Sequence, residues 1–161
     1  MTVISTDSDV AALSFTIVAE FDAKIERVWQ IWEDPRQLER WWGPPTWPAT
    51  FDRHDFVEGG KAHYYMTAPD GAKARGWWAI DTIDAPTSLV FDDGFADESW
   101  EPVSHLGSTR CHVTLEDLDG RTRMTSKSTF ENAEQMQKMI EMGMEEGMTQ
   151  AMGQIDAIIA D

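Results

Sequence analysis

Carboxylates are the first residues in this sequence with chemistry to offer. Asp92, Asp93, Asp97, Glu98 and Glu101 cluster in one stretch. Carboxylates brought together can pass protons to a substrate or hold a hard cation. A run of acidic residues is more often a solvated face, and that is the expectation for this stretch. The histidines His54, His63, His105 and His112 have no metal-ligand spacing. His63 and His112 fall on the outward parity of their strands, and His54, between Arg53 and Asp55, reads as part of a salt-linked surface cluster. The single cysteine, Cys111, alternates with Val113 and Leu115, the pattern of a buried structural thiol. There is no GxSxG, no Cys–His arrangement and no glycine-rich phosphate loop. Two polar residues on inward parity, Tyr64 and Ser126, are the candidates for catalytic roles. No metal and no cofactor is expected.

The aromatic and sulfur-bearing residues point to binding. Of eight tryptophans, Trp29 and Trp32 have the spacing of helix core positions. Trp41 and Trp42 precede the rigid turn Gly43-Pro44-Pro45, and Trp41 is expected to face inward. Trp78 shares parity with Gly76 and Ile80, which turns it inward and Trp77 outward. Met66 shares a face with Ala62 and Tyr64, and Phe91 lies on the strand Leu89–Phe95. Near the C-terminus, Met136, Ile140, Gly143, Met144, Gly147, Met148, Ala151, Ile155 and Ile158 share one side when wound at 100° per residue. An apolar face of Met and Gly is unusual, because glycine costs a helix about 0.8–1 kcal/mol relative to Ala. Either another backbone comes close there, or space is left open beside the helix. Met would make an adaptable wall for that space. The residues expected to line a pocket are therefore Trp41, Tyr64, Met66, Trp78, Ile80, Phe91, Gly143, Met144, Gly147 and Met148.

Those residues need elements to position them. Residues 132–159 read as one amphipathic helix of about 42 Å. Asn132 is its N-cap and Gln135 completes a capping box. Upstream, the alternation of Leu13 through Phe21 reads as a strand with one buried face. Two short helices follow. The first carries Ile25, Val28, Trp29 and Trp32 with Asp22 as its cap; the second starts at Asp34-Pro35 and runs to about Trp41. Strands are then expected at Ala49–Phe56, Lys61–Thr67, Lys73–Asp84, Leu89–Phe95, Thr109–Leu115 and Met124–Phe130. Their separators include Pro69-Asp70-Gly71 and the hairpin signal Asp119-Gly120. The class is α+β: an antiparallel sheet of about six or seven strands covered by a long C-terminal helix. Residues 1–12 read as a loose tail, and residues 13–161 as a single domain.

A net charge of −16 over 161 residues argues against nucleic acid or an anionic membrane as a partner. No apolar run reaches the roughly 20 residues of a membrane span, and the first residues lack a signal-peptide pattern. A cytoplasmic protein is expected, and nothing excludes a homodimer.

The ordered pieces Phe21-Asp22-Ala23, Val28-Trp29-Gln30-Ile31-Trp32, Asp34-Pro35, Trp41-Trp42-Gly43-Pro44-Pro45, Gly59-Gly60, Pro69-Asp70-Gly71 and Gly143-Met144-Glu145-Glu146-Gly147 carry a resemblance. The chain resembles the START-like, helix-grip (SRPBCC, Bet v-like) superfamily, in the branch related to the activator of heat-shock protein 90 ATPase. Residues 91–107 also look like polyketide-cyclase-like bacterial members. Ala23-Lys24 stands where relatives carry Ala-Pro, and Met148 where many carry Trp. The resemblance implies a sheet curved around the long helix, with a cavity for a small apolar or aromatic ligand between them. A binding module for a small hydrophobic molecule is the leading expectation. A cyclase or hydrolase using the same cavity, and a chaperone-interaction domain, are the alternatives.

Overall fold

Residues 3–161 are described by a computed structural model. The backbone runs β1 (Val3–Asp9), β2 (Ser14–Phe21), α1 (Ile25–Glu33), α2 (Pro35–Leu38), β3 (Ala49–His54), β4 (Lys61–Thr67), β5 (Lys73–Asp84) and β6 (Ser88–Ala96). It continues with a 3-10 turn at Ser104–Leu106, β7 (Ser108–Asp117), β8 (Thr122–Thr129), α3 (Ala133–Glu141), α4 (Met144–Met152) and α5 (Ile155–Ile159). The strands form one curved antiparallel sheet in the order β1-β2-β8-β7-β6-β5-β4-β3. β1 pairs with β2, and from β3 to β8 each strand pairs with the next, the longest of these connections being residues 97–107 between β6 and β7. The exception is the step from β2 to β3, which lies far across the sheet, so α1 and α2 must span its inner face to make it. This is the helix-grip architecture.

Period-two burial decides which side of the sheet is inside. Phe15, Ile17, Ala19 and Phe21 of β2, Cys111, Val113 and Leu115 of β7, and Met124, Ser126 and Ser128 of β8 are all buried. At the β7–β8 hairpin, Asp119 and Gly120 take φ of 63° and 99°, the two positive values of a type I′ turn.

Three boundaries differ from expectation in the N-terminal third. Val3–Asp9 is an edge strand, not a loose tail; Ser5 to Asp9 pair in register with Val18 to Ser14. Its side chains from Ser5 onward are exposed, so burial leaves no pattern to read. The pairing comes from main-chain groups that satisfy the open edge of β2. Residues 1 and 2, also assigned to the tail, lie outside the described residues. Asp22 does not cap α1. Lys24 holds the N-cap position without a side-chain bond, whereas Asp34 caps α2 by accepting from Arg36 N at 2.9 Å. α2 is a single turn that ends at Leu38 rather than near Trp41.

The long C-terminal helix is also corrected: it is three segments. Gly143 adopts φ 83°, ψ 26°, a left-handed conformation that only glycine takes at low cost. The hydrogen-bond ladder stops there, with Gly143 N bonding Ile140 O at 3.0 Å. A gentler step follows, where Gln154 N bonds Ala151 O three residues back. Asn132 accepts from Gln135 N at 2.8 Å as the N-cap. The Gln135 side chain does not close a capping box. It accepts from Glu131 N at 2.6 Å and donates to Ser108 O at 2.9 Å, tying α3 to the start of β7. At the other end Arg27 of α1 donates to Ile158 O at 2.7 Å, and Gln154 donates to Gly43 O at 2.8 Å. The helical segments are thus pinned at both ends and bent over the middle of the sheet. No helix among the described residues is long and apolar enough to cross a membrane.

Candidate functional site

The bend leaves a cavity of about 280 Å³ between sheet and helices. Inward residues of β4, β6, β7 and β8 form its floor, and α3 and α4 form its roof. Trp32, Trp41 and Trp42 close one end. The tryptophan wall is fixed by packing. Trp32 and Trp41 meet edge to face at 4.7 Å, and Trp41 Nε1 donates to Ile31 O at 3.0 Å. Trp42 stands edge to face with Tyr64 at 5.9 Å and with Trp78 at 5.0 Å.

Nine of the residues singled out from sequence border this space: Trp41, Tyr64, Met66, Phe91, Ser126, Gly143, Met144, Gly147 and Met148. Trp78 and Ile80 do not. Both point inward as their parity requires, but α1, α2 and the tryptophans after them already cover that part of the sheet. Trp78 is wholly buried and stacks on Phe91 at 4.0 Å, and Ile80 lies in the core beside it. At Gly147 a Cβ would meet nothing within 4 Å, so the glycine faces open space and not a close-packed backbone.

The sequence reading missed the group that dominates the site's electrostatics. Asp93, assigned there to a solvated acidic face, lies on the cavity floor. It follows Leu89 and Phe91 on the inward parity of β6, and that parity was the available signal. Tyr64 Oη donates to Asp93 Oδ1 at 2.8 Å. Burial pushes the Asp93 carboxyl up to about 7, although Tyr64 and the Gly94 N–H both favour its ionised form. Burial and the neighbouring Asp93 raise the Tyr64 hydroxyl well above its ordinary value. The same two causes raise the Cys111 thiol. Cys111 therefore stays a thiol, 4.0 Å from Ser128 Oγ, and is no activated nucleophile.

Other bordering residues that were not among the expected lining are Trp42, Met139, Met152 and Gln135. The Trp42 indole N–H is buried and turned toward the Tyr64 hydroxyl, where it favours the ionised form. His54 is also corrected. Arg53 and Asp55 do pair at 2.6 Å, but the imidazole turns inward from between them. It bonds Trp32 O at 3.0 Å and packs on Phe51, Phe56 and Trp78. Burial holds its pKa below the usual histidine value.

Of the catalytic candidates, Tyr64 has its hydroxyl committed to Asp93, and Ser126 lies separately on β8. The site therefore offers hydrogen bonding, aromatic faces and one carboxyl that titrates near neutrality.

This architecture recurs in solved structures. A protein from Arthrobacter aurescens, solved by NMR, is 69% identical over 99% of this chain and 92% of its own, with a TM-score of 0.95. A crystal structure from Mycobacterium smegmatis is 46% identical over 97% of this chain and 96% of its own, at 0.89. The AHSA1 protein from Silicibacter pomeroyi shares the fold at 20% identity, over 91% of this chain and 97% of its own, with a TM-score of 0.72. No curated protein matches. The sequence model of the Activator of Hsp90 ATPase homolog 1-like proteins matches residues 22–160, from just after β2 through α5. With strands β3 to β8, every helix and all the cavity-lining residues inside that match, the chain belongs to the Activator of Hsp90 ATPase homolog 1-like family.

Proposed function

We propose that this protein binds a small, largely aromatic molecule in the cavity between the sheet and α3–α4. The observation that carries this is the cavity's composition. Its walls are tryptophan, phenylalanine and methionine, with polar groups confined to Tyr64, Asp93, Gln135 and the hydroxyl and thiol groups of β7 and β8. Few polar groups set in an apolar concavity are what orient a ligand that is held mainly by burial. The volume is nearly twice the ~150 Å³ that admits benzene, so a molecule of roughly two rings fits. The Met-rich roof can repack around it.

The test is a calorimetric titration with naphthylethanol, a neutral two-ring probe, followed through the indole N–H signals in NMR. Saturable binding at one molecule per chain is expected, with the Trp42 signal moving and that of the surface residue Trp47 staying in place. Absence of saturable binding, or equal movement of both signals, would sink the proposal.

A further inference from the structure

The cavity holds one carboxylate and nothing to neutralise it. Of the residues that border it, only Tyr64, Asp93 and Cys111 titrate, and none of them is basic. Among the described residues no cationic side chain contributes to the shift of Asp93. The nearest arginine along the adjoining strand, Arg110, is on the outer face and pairs there with Asp81 and Asp92. Asp93 has a tyrosine hydroxyl and a backbone N–H as its hydrogen-bond partners, which leaves acceptor capacity on the carboxylate unused. Around it stand aromatic rings, with Trp42 5.9 Å from Tyr64 and 6.2 Å from Phe91.

A half-buried carboxylate beside aromatic faces is complementary to an ammonium group, which the carboxylate pairs and the rings attract. The whole molecule favours the same charge. With a net charge of −16, its field draws cations toward a cleft and repels anions. We infer that the ligand is a protonated amine on an aromatic body, with the ammonium seated on Asp93 among Tyr64, Trp42 and Phe91. The inference rests on the cavity being a binding site, and it adds the ligand's charge.

Asp93 must ionise to make this pair. The groups facing it are Tyr64 from β4 and Cys111 from β7, and both are held neutral beyond the working range. From α3 and α4 the cavity receives Gln135, methionines, glycines and Ala151, none of them charged. The carboxyl itself titrates at about 7. Amine affinity should therefore rise with pH through neutrality, while the amine remains protonated.

The experiment compares naphthylethylamine with naphthylethanol, which differ only in the ammonium. At about pH 8 the amine should bind at least about tenfold more tightly, as expected for a desolvated charge pair. That preference should shrink as pH falls toward 5. In Asp93→Asn the ratio of the two affinities should fall to about one. If the alcohol binds as tightly as the amine in the native protein at pH 8, the ammonium site is overturned and the cavity stands. A pH-independent ratio, or a preference that survives in Asp93→Asn, overturns it too. If neither probe binds, the cavity proposal fails and this one with it. The native protein's pH profile decides the matter even if Asp93→Asn does not fold.

Discussion

Tyr64 reaches Asp93 by lying flat across Gly76. Tyr64 pairs with Gly76 on β5, and Asp93 sits one strand further on, opposite Trp78. A Cβ at Gly76 would collide with the tyrosine ring, coming within 2.7 Å of Cε1 and closer still to Cζ and the hydroxyl. The glycine is thus the clearance that lets a residue of β4 bond one of β6. Gly76→Ala should push the ring off the strand and cost about 1–3 kcal/mol, the usual penalty for overpacking a filled site. Urea denaturation measures this. A variant as stable as the native protein would mean that Tyr64 is free to move.

Removing the hydroxyl alone is gentler and reports on Asp93. The Tyr64 hydrogen bond favours the ionised carboxylate, so Tyr64→Phe should raise the Asp93 pKa beyond its value of about 7. The stability change should be on the order of 1 kcal/mol. Carbon-detected NMR titration of the aspartate carboxyls reads the shift directly. A fall in the Asp93 pKa would show that the tyrosine acts there mainly by excluding water.

Asp93 should also make stability depend on pH. Its folded-state pKa of about 7 lies above the ordinary value of 3.8. Between these values the folded chain holds a proton that the unfolded chain has lost. Stability from this group is fully present below about pH 4, falls as pH rises toward 7, and is level above. The loss is on the order of a few kcal/mol. Asp93→Asn removes the titration, so the native protein should lose stability relative to the variant between pH 5 and pH 8. Parallel pH–stability curves would contradict a carboxyl whose pKa is raised by folding.

How far the sequence disclosed this arrangement depends on what fixes each part. Lys61–Thr67 and Lys73–Asp84 form strands with the bounds read from alternation and turn residues, because one buried face imposes period two. The same parity placed Tyr64 and Met66 inward, and carried along β6 from Phe91 it would have placed Asp93 there had its acidic neighbours not suggested a solvated run. Parity names a face but not what covers each length of it, which is why Trp78 and Ile80 were assigned to the cavity and lie in the core. β1 left no trace, since main-chain pairing at an exposed edge asks little of the side chains. The Met and Gly composition of the C-terminal segment left close backbone packing and open space as alternatives, and Gly147 takes the second; a glycine's φ is not written in its identity, and the break at Gly143 went unread.

The two glycines of that wall separate into different roles, and substitution should split them. Gly143 is left-handed, and any side chain there is strained whatever the space. Gly143→Ala should therefore destabilise the protein by about 1–2 kcal/mol. Gly147 sits within α4 with open space at its Cβ. Gly147→Ala should stabilise the helix by about 0.8–1 kcal/mol. Gly147→Leu should still fold but place its side chain in the cavity, weakening naphthylethanol binding by at least about tenfold, the equivalent of 1.4 kcal/mol. Thermal unfolding and calorimetry on the three variants measure both effects. Unchanged affinity in a folded Gly147→Leu would show that the ligand does not reach α4. A Gly143→Ala variant as stable as the native protein would show that the bend over the cavity comes from packing rather than from the glycine.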